Sequence, residues 1–263
     1  MRFFLLPVFL FCAACFSFSG NEKWHAGSAG KPEGKVYTLC CFISGPEQDW
    51  SAEGKDSMIA LLEEAQDWLS GQAKRYDRSL TFITGFIGKD KDIEVGAIES
   101  GTASGQESVD WVARVLKNAG YPSGLAVYDS ITGLIESGTM QVLIFAKQSG
   151  ISYSFPFSNA MDKELYFLEG TLLYEKYSNG YSLASSSIAH EMLHLFGAWD
   201  LYHTYAQPKD REDSARKIFP DDIMLRTSYN ISELNIGKLT AWTIGWNSQS
   251  EEFYEWFRPE TSK

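Results

Sequence analysis

Histidine is scarce in this chain: only four of its 263 residues are His. Three of them, His190, His194 and His203, fall inside one stretch, "SIAHEMLHLFGAWDLYH" (Ser187 to His203), and the fourth, His25, lies near the start. Basic residues are also in deficit, with 23 Lys and Arg against 34 Asp and Glu and a net charge of −11. Such a balance excludes the clustered positive footprint of a nucleic-acid binder. Cysteine is limited to four residues, and two of these, Cys12 and Cys15, belong to the leading apolar segment. No disulfide scaffold is therefore expected. The other two, Cys40 and Cys41, are neighbours; on a strand they point to opposite faces, which predicts two buried thiols and not a bonded pair. After Gly20 no apolar run is long enough to span a bilayer, and no internal repeat suggests a solenoid.

What is present describes an ordinary globular domain with an export signal. Apolar residues make up 44% and charged residues 22%, which is a folding composition and not a disordered one. The opening "MRFFLLPVFLFCAACFSFSG" has one positive charge, an apolar run and then small residues, as a secretory signal does. Its end has two readings. "CAAC" ending at Cys15 is like a bacterial lipobox, which makes Cys15 a lipid-anchored N-terminus; Ser17 and Ser19 fit cleavage after Ser19. The expected layout is a signal over 1–19, a flexible Gly- and Lys-rich lead-in over 20–34, and one domain over 35–263.

Along the domain, "KVYTLCCFIS" (35–44) reads as the first core strand. From Ser57 onward Met58, Leu61, Leu62, Ala65, Trp68 and Leu69 recur at helical spacing. "LTFITGFIG" (80–88) is a strand, and 89–106 reads as a loop. Within it Asp90, Asp92 and Glu94 lack the glycine that a calcium loop needs, since the sixth position is Val95, so a solvated turn is expected. A helix follows over about 107–118. "LAVYDS", "QVLIFAK", "ISYSFPF" and "ELYFLEGTLLY" then read as four strand-like segments. The expected class is α+β with a mixed sheet.

In "HEMLH", His190 and His194 are four apart, so on a helix both imidazoles share one face. Zinc accepts such nitrogens at about 2.0–2.1 Å, and a catalytic zinc keeps three protein ligands plus water. Glu191, beside the first ligand, is placed to take a proton from that water. The helix must then stop so that a third ligand can return; Gly197 supplies the stop, and Asp200 follows three residues on.

The stretch "HEMLHLFGAWD" resembles the extended zinc motif of the metzincin metallopeptidases, His-Glu-x-x-His-x-x-Gly-x-x-His/Asp, at every fixed position. "GAWDLY" is similar to the Asp-containing form in immune inhibitor A-like secreted proteases. "PDDIMLR" resembles the metzincin Met-turn, which implies that Met224 lies beneath the metal. "ISELNIGKLTAWTIGW" (231–246) would be the closing C-terminal helix. The resemblance covers about Ser182 to Trp246. It implies a zincin-like catalytic domain with a twisted mixed sheet, one catalytic Zn2+ held by His190, His194 and Asp200, and Glu191 as general base. It also implies that peptide substrate lies along an edge strand, here within "ISYSFPF" or "ELYFLEGTLLY". Two departures stand out: Asp200 replaces the commoner third His, and Arg226 stands where some members carry a Tyr.

Other readings stay open on the residues alone. His203 competes for the third ligand position, Glu212 would serve in a thermolysin-like arrangement, and His190, His194, Asp200 and His203 together could close a structural site. Tyr202, Tyr205 and Tyr229 are candidates to stabilise the oxyanion, but nothing in the spacing selects one. Trp199, Trp242 and Trp246 are expected in the core. The function expected is exported zinc-dependent hydrolysis of a peptide or protein, with envelope attachment through Cys15 as one form. The alternatives are an inactive surface lipoprotein that binds a protein partner on the same fold, and a hydrolase of non-peptide amides.

Overall fold

The first core strand, β1 (Gly34–Ser44), sits in the middle of a sheet, and its sequence explains why. Val36, Cys40 and Phe42 point to one side and Leu39, Cys41 and Ile43 to the other, all of them buried. A strand apolar on both faces suits a parallel sheet covered on both sides. The computed structural model describes residues 29–46, 48–96, 105–135, 139–155 and 170–260. The signal segment with Cys15, most of the lead-in, residues 97–104 and parts of "ISYSFPF" and "ELYFLEGTLLY" lie outside them.

The strands β2 (Leu80–Ile87), β3 (Ile93–Glu94), β4 (Met140–Gly150), β5 (Tyr153–Phe155) and β6 (Gly170–Tyr177) complete the sheet. Their order is β2-β1-β4-β6-β5, with β3 pairing the end of β1. β1, β2, β3, β4 and β6 are parallel, while β5 runs antiparallel to β6 and forms the edge among the described residues. The mixed α/β class is thus as expected. On one face lie α1 (Ala52–Lys74), the histidine helix α4 (Ser185–Leu195) and the C-terminal segments; on the other lie α2 (Gly105–Asn118) and α3 (Gly124–Ile135). Cys40 and Cys41 are buried, unbonded and on opposite faces. Among the described residues no helix is long and apolar enough to cross a membrane.

Several local expectations change. α1 starts earlier than the apolar pattern, because Ser51 caps it by accepting from the Gly54 N–H at 3.1 Å. "LAVYDS" is part of the helix α3, with Val127 and Ile131 four apart and buried. Asp92 is no solvated turn residue: its carboxylate pairs with the buried Lys55 at 2.5 Å and accepts the Trp50 N–H at 2.8 Å. The end of the lead-in packs onto the domain, with Ala29 and Pro32 buried and the Pro32 carbonyl accepting the Trp246 indole N–H at 2.7 Å.

The closing helix over 231–246 is also divided. It is a 3-10 turn (Ile231–Glu233), a bridge between Asp222 and Asn235, and a short helix α6 (Lys238–Thr243). Gly237 marks the division. A Cβ there would stand 2.6 Å from Asp222 Oδ2, which takes the Gly237 N–H instead. A further helix α5 (Lys209–Ile218) and a 3-10 turn (Glu252–Phe257) complete the C-terminal half.

Candidate metal centre

The helix α4 is buried all round, with His194 the one partly exposed position. Side chains tie its backbone and start to their surroundings. Gln141 on β4 donates to the Met192 carbonyl at 2.9 Å, and Ser186 Oγ both donates to the Ser228 carbonyl (2.7 Å) and accepts its N–H (3.0 Å).

Its C-terminal end has chemical consequences. Gly197 has φ +96, its N–H donates to the His194 carbonyl at 2.9 Å, and the Ala198 N–H donates to the Leu193 carbonyl at 3.0 Å. Those two bonds are a Schellman ending, with glycine at the left-handed position. The turn brings the Ala198 carbonyl back over the helix, where His194 Nδ1–H donates to it at 2.9 Å. A Gly197→Ala chain should lose about 1–2 kcal/mol of stability and also bind metal more weakly. An unchanged denaturant midpoint with unchanged metal affinity would contradict this coupling.

His190 is oriented from the other side, by donation from Nδ1 to the Ile223 carbonyl at 2.9 Å. Both imidazoles thus spend their Nδ1 protons on backbone and turn Nε2 inward. The two Nε2 atoms are 3.2 Å apart, and each is 3.2 Å from Asp200 Oδ1. Four tetrahedral ligands about 2.0–2.1 Å from zinc stand roughly 3.3–3.4 Å from one another, so this triangle has the size of a tetrahedral face. Asp200 Oδ1 is buried and has no hydrogen-bond donor. Three acceptors converging without a proton between them call for a cation, and among the described residues these three alone form such a group. The residues present fit a metal.

Without a metal, a proton takes part of that role. Burial works against charge on His194, but the Asp200 carboxylate outweighs it and lifts the imidazole to about 9. Burial likewise opposes charge on Asp200, and the two histidines hold it well below the usual carboxylate range. This pairing stabilises the metal-free fold fully below pH about 6.5 and is lost as pH rises through about 9. Metal must displace the His194 proton, so its affinity should rise about tenfold per pH unit below pH 9. Calorimetry at pH 7.5 in buffers of different ionisation enthalpy should show one proton released per ion; none released would contradict the pairing.

Beneath the site, Leu225 N–H donates to the Asp222 carbonyl at 3.0 Å and closes a tight turn over Ile223 and Met224, with Met224 fully buried. The same turn supplies the Ile223 carbonyl to His190. Asp222 pins it, accepting from Met224 N–H (2.8 Å) and, on Oδ2, from Gly237 N–H (2.9 Å) and Thr240 Oγ1–H (2.8 Å). Burial outweighs these donors and pushes the Asp222 carboxyl up to about 6.

The competing ligands lie elsewhere. His203 Nδ1 bonds the Gln207 carbonyl at 2.9 Å, and Glu212 is held by Arg216, Lys209 and the His203 N–H. Of the three tyrosines, Tyr205 is 94% exposed and Tyr229 donates to the Ser182 carbonyl, while Tyr202 lies 5.9 Å from the His190 ring. Burial of the Tyr202 phenol, together with the nearby Asp200 carboxylate, pushes its pKa well up. A cleft of about 530 Å³ opens beside the site, bordered by His190, Glu191, Tyr202, Ser187, Tyr177 and Arg226.

One contact had no signal in the sequence pattern. Ser154, on the edge strand β5, places its hydroxyl 2.9 Å from Glu191 Oε2.

No protein-family model matches the chain, and no curated protein matches it by sequence. Among solved structures it is similar to metalloproteinase-II from Bacteroides fragilis, at 13% identity and a TM-score of 0.37. The match covers 82% of this chain and 53% of that one, so the chain spans about half the length of that neighbour.

Proposed function

We propose that the chain is an exported zinc metallopeptidase that hydrolyses peptide bonds in a peptide or protein substrate. The observation that carries this reading is the 3.2 Å triangle of His190 Nε2, His194 Nε2 and Asp200 Oδ1, with Glu191 bordering the same cleft. Zinc is the ion best suited to two imidazoles and a carboxylate at that spacing.

Zinc, when bound, supplies a polarised carbonyl and an acidic water. The protein's own part is distinct. Glu191, 8% exposed and held by Ser154, takes a proton from water and returns it to the leaving amine. Tyr202 presents a phenol at the mouth of the site, where developing negative charge needs a donor. Among the described residues β5 forms the edge of the sheet and lies against α4, so an extended peptide can pair with it and pass the triangle. His203 bonded away from the centre leaves three protein ligands among the described residues, as catalysis needs and a closed structural site does not. The leading segment supports export, with Cys15 as the point of lipid attachment.

The test is hydrolysis of a quenched fluorescent peptide library by zinc-loaded protein. Cleavage that a chelator abolishes and zinc restores is the expected result. A zinc-loaded chain that cleaves no peptide yet retains a protein partner would favour the binding lipoprotein.

A further inference from the structure

We infer that Ser154 is a positioning residue that aims the Glu191 carboxylate and couples it to the strand along which substrate lies; this rests on the peptidase reading above. The register pairs Ser154 with Thr171 across β5 and β6, and their hydroxyls lie 2.8 Å apart. Ser154 Oγ is also 2.8 Å from the Glu191 carbonyl and 2.9 Å from Glu191 Oε2. The helix supplies its own N–H to that carbonyl. With Thr171 donating to Ser154, the Ser154 proton is free for the carboxylate.

A general base acts only within hydrogen-bond reach of the proton it takes. Glu191 is buried beside two metal-ligand histidines, and no other side chain within the described contacts donates to it. Ser154 therefore decides which way Oε2 faces. Its backbone belongs to the strand that forms the edge of the sheet among the described residues, so a peptide pairing there would fix the strand that carries this hydroxyl. Substrate placement and base placement then share one residue.

The test compares wild type with Ser154→Ala and Ser154→Thr. Ser154→Ala is expected to lower kcat about 10- to 100-fold, a part of what a general base contributes, with KM, bound metal and melting temperature little changed. Ser154→Thr, which keeps the hydroxyl, is expected to recover most of the rate. A fall in metal content or melting temperature that matches the loss of rate would mark a merely structural serine and overturn the assignment. Crystal structures of wild type and Ser154→Ala decide the matter independently of activity. A rotated or disordered Glu191 carboxylate in the variant supports the inference, and an unmoved one overturns it. Absence of hydrolysis by wild type would count against the peptidase reading and leave the crystallographic comparison intact.

Discussion

A Glu191→Ala chain is expected to keep its metal and lose its hydrolysis, with kcat/KM lowered by about 100-fold or more. The two outcomes separate because Glu191 is outside the triangle. His190, His194 and Asp200 are placed by the Ile223 carbonyl, the Schellman turn and the return of the chain after Gly197, none of which uses the Glu191 side chain. Its removal also releases Ser154, whose hydroxyl keeps Thr171 as a partner. Metal content and melting temperature should therefore stay close to wild type. Robust hydrolysis by this variant would remove Glu191 from the mechanism.

Asp200→Asn should have the largest effect on the metal, lowering its affinity by at least about 100-fold. Even outer-shell partners of a metal site are worth about 10- to 100-fold, and here the first-hand carboxylate loses its charge while keeping its size. The variant also removes what holds the His194 proton. Burial is then opposed only by the smaller effects of Glu191 and the Ala198 carbonyl, so the imidazole should fall from about 9. Competition with a chelator reads the first change, and a His194 titration by NMR reads the second. Unchanged affinity would mean that Asp200 is no ligand, and would return attention to His203.

The grouping of His190, His194 and Asp200 was legible because its parts are close in sequence. Two histidines one helical turn apart, a glycine stop and a returning carboxylate all lie between His190 and Asp200, where local geometry decides the outcome. Met224 was singled out by resemblance alone; the structure shows a tight turn over Ile223 and Met224. What connects the site to the sheet was not legible. Ser154 is 37 residues from Glu191, and only the register of β5 on β6 brings them together. Gln141, whose amide reaches the Met192 carbonyl, is equally remote, 51 residues away.

The misread elements failed for local reasons. "LAVYDS" is too short for apolar periodicity to separate strand from helix, and the packing of Val127 and Ile131 decided it. Residues 231–246 carry a continuous apolar pattern, but Asp222 fills the space beside Gly237 and ends one element before the next begins. Asp92 read as solvated because its partner, Lys55, comes from α1. Of the three tyrosines, spacing alone could not choose; Tyr202 was selected by its position above His190.

The most direct test is metal content, measured by mass spectrometry on purified protein beginning after the signal, for wild type and His190→Ala. The account predicts about one zinc per wild-type chain and its loss in the variant. Wild-type protein that holds no metal, even after zinc is offered, would contradict it.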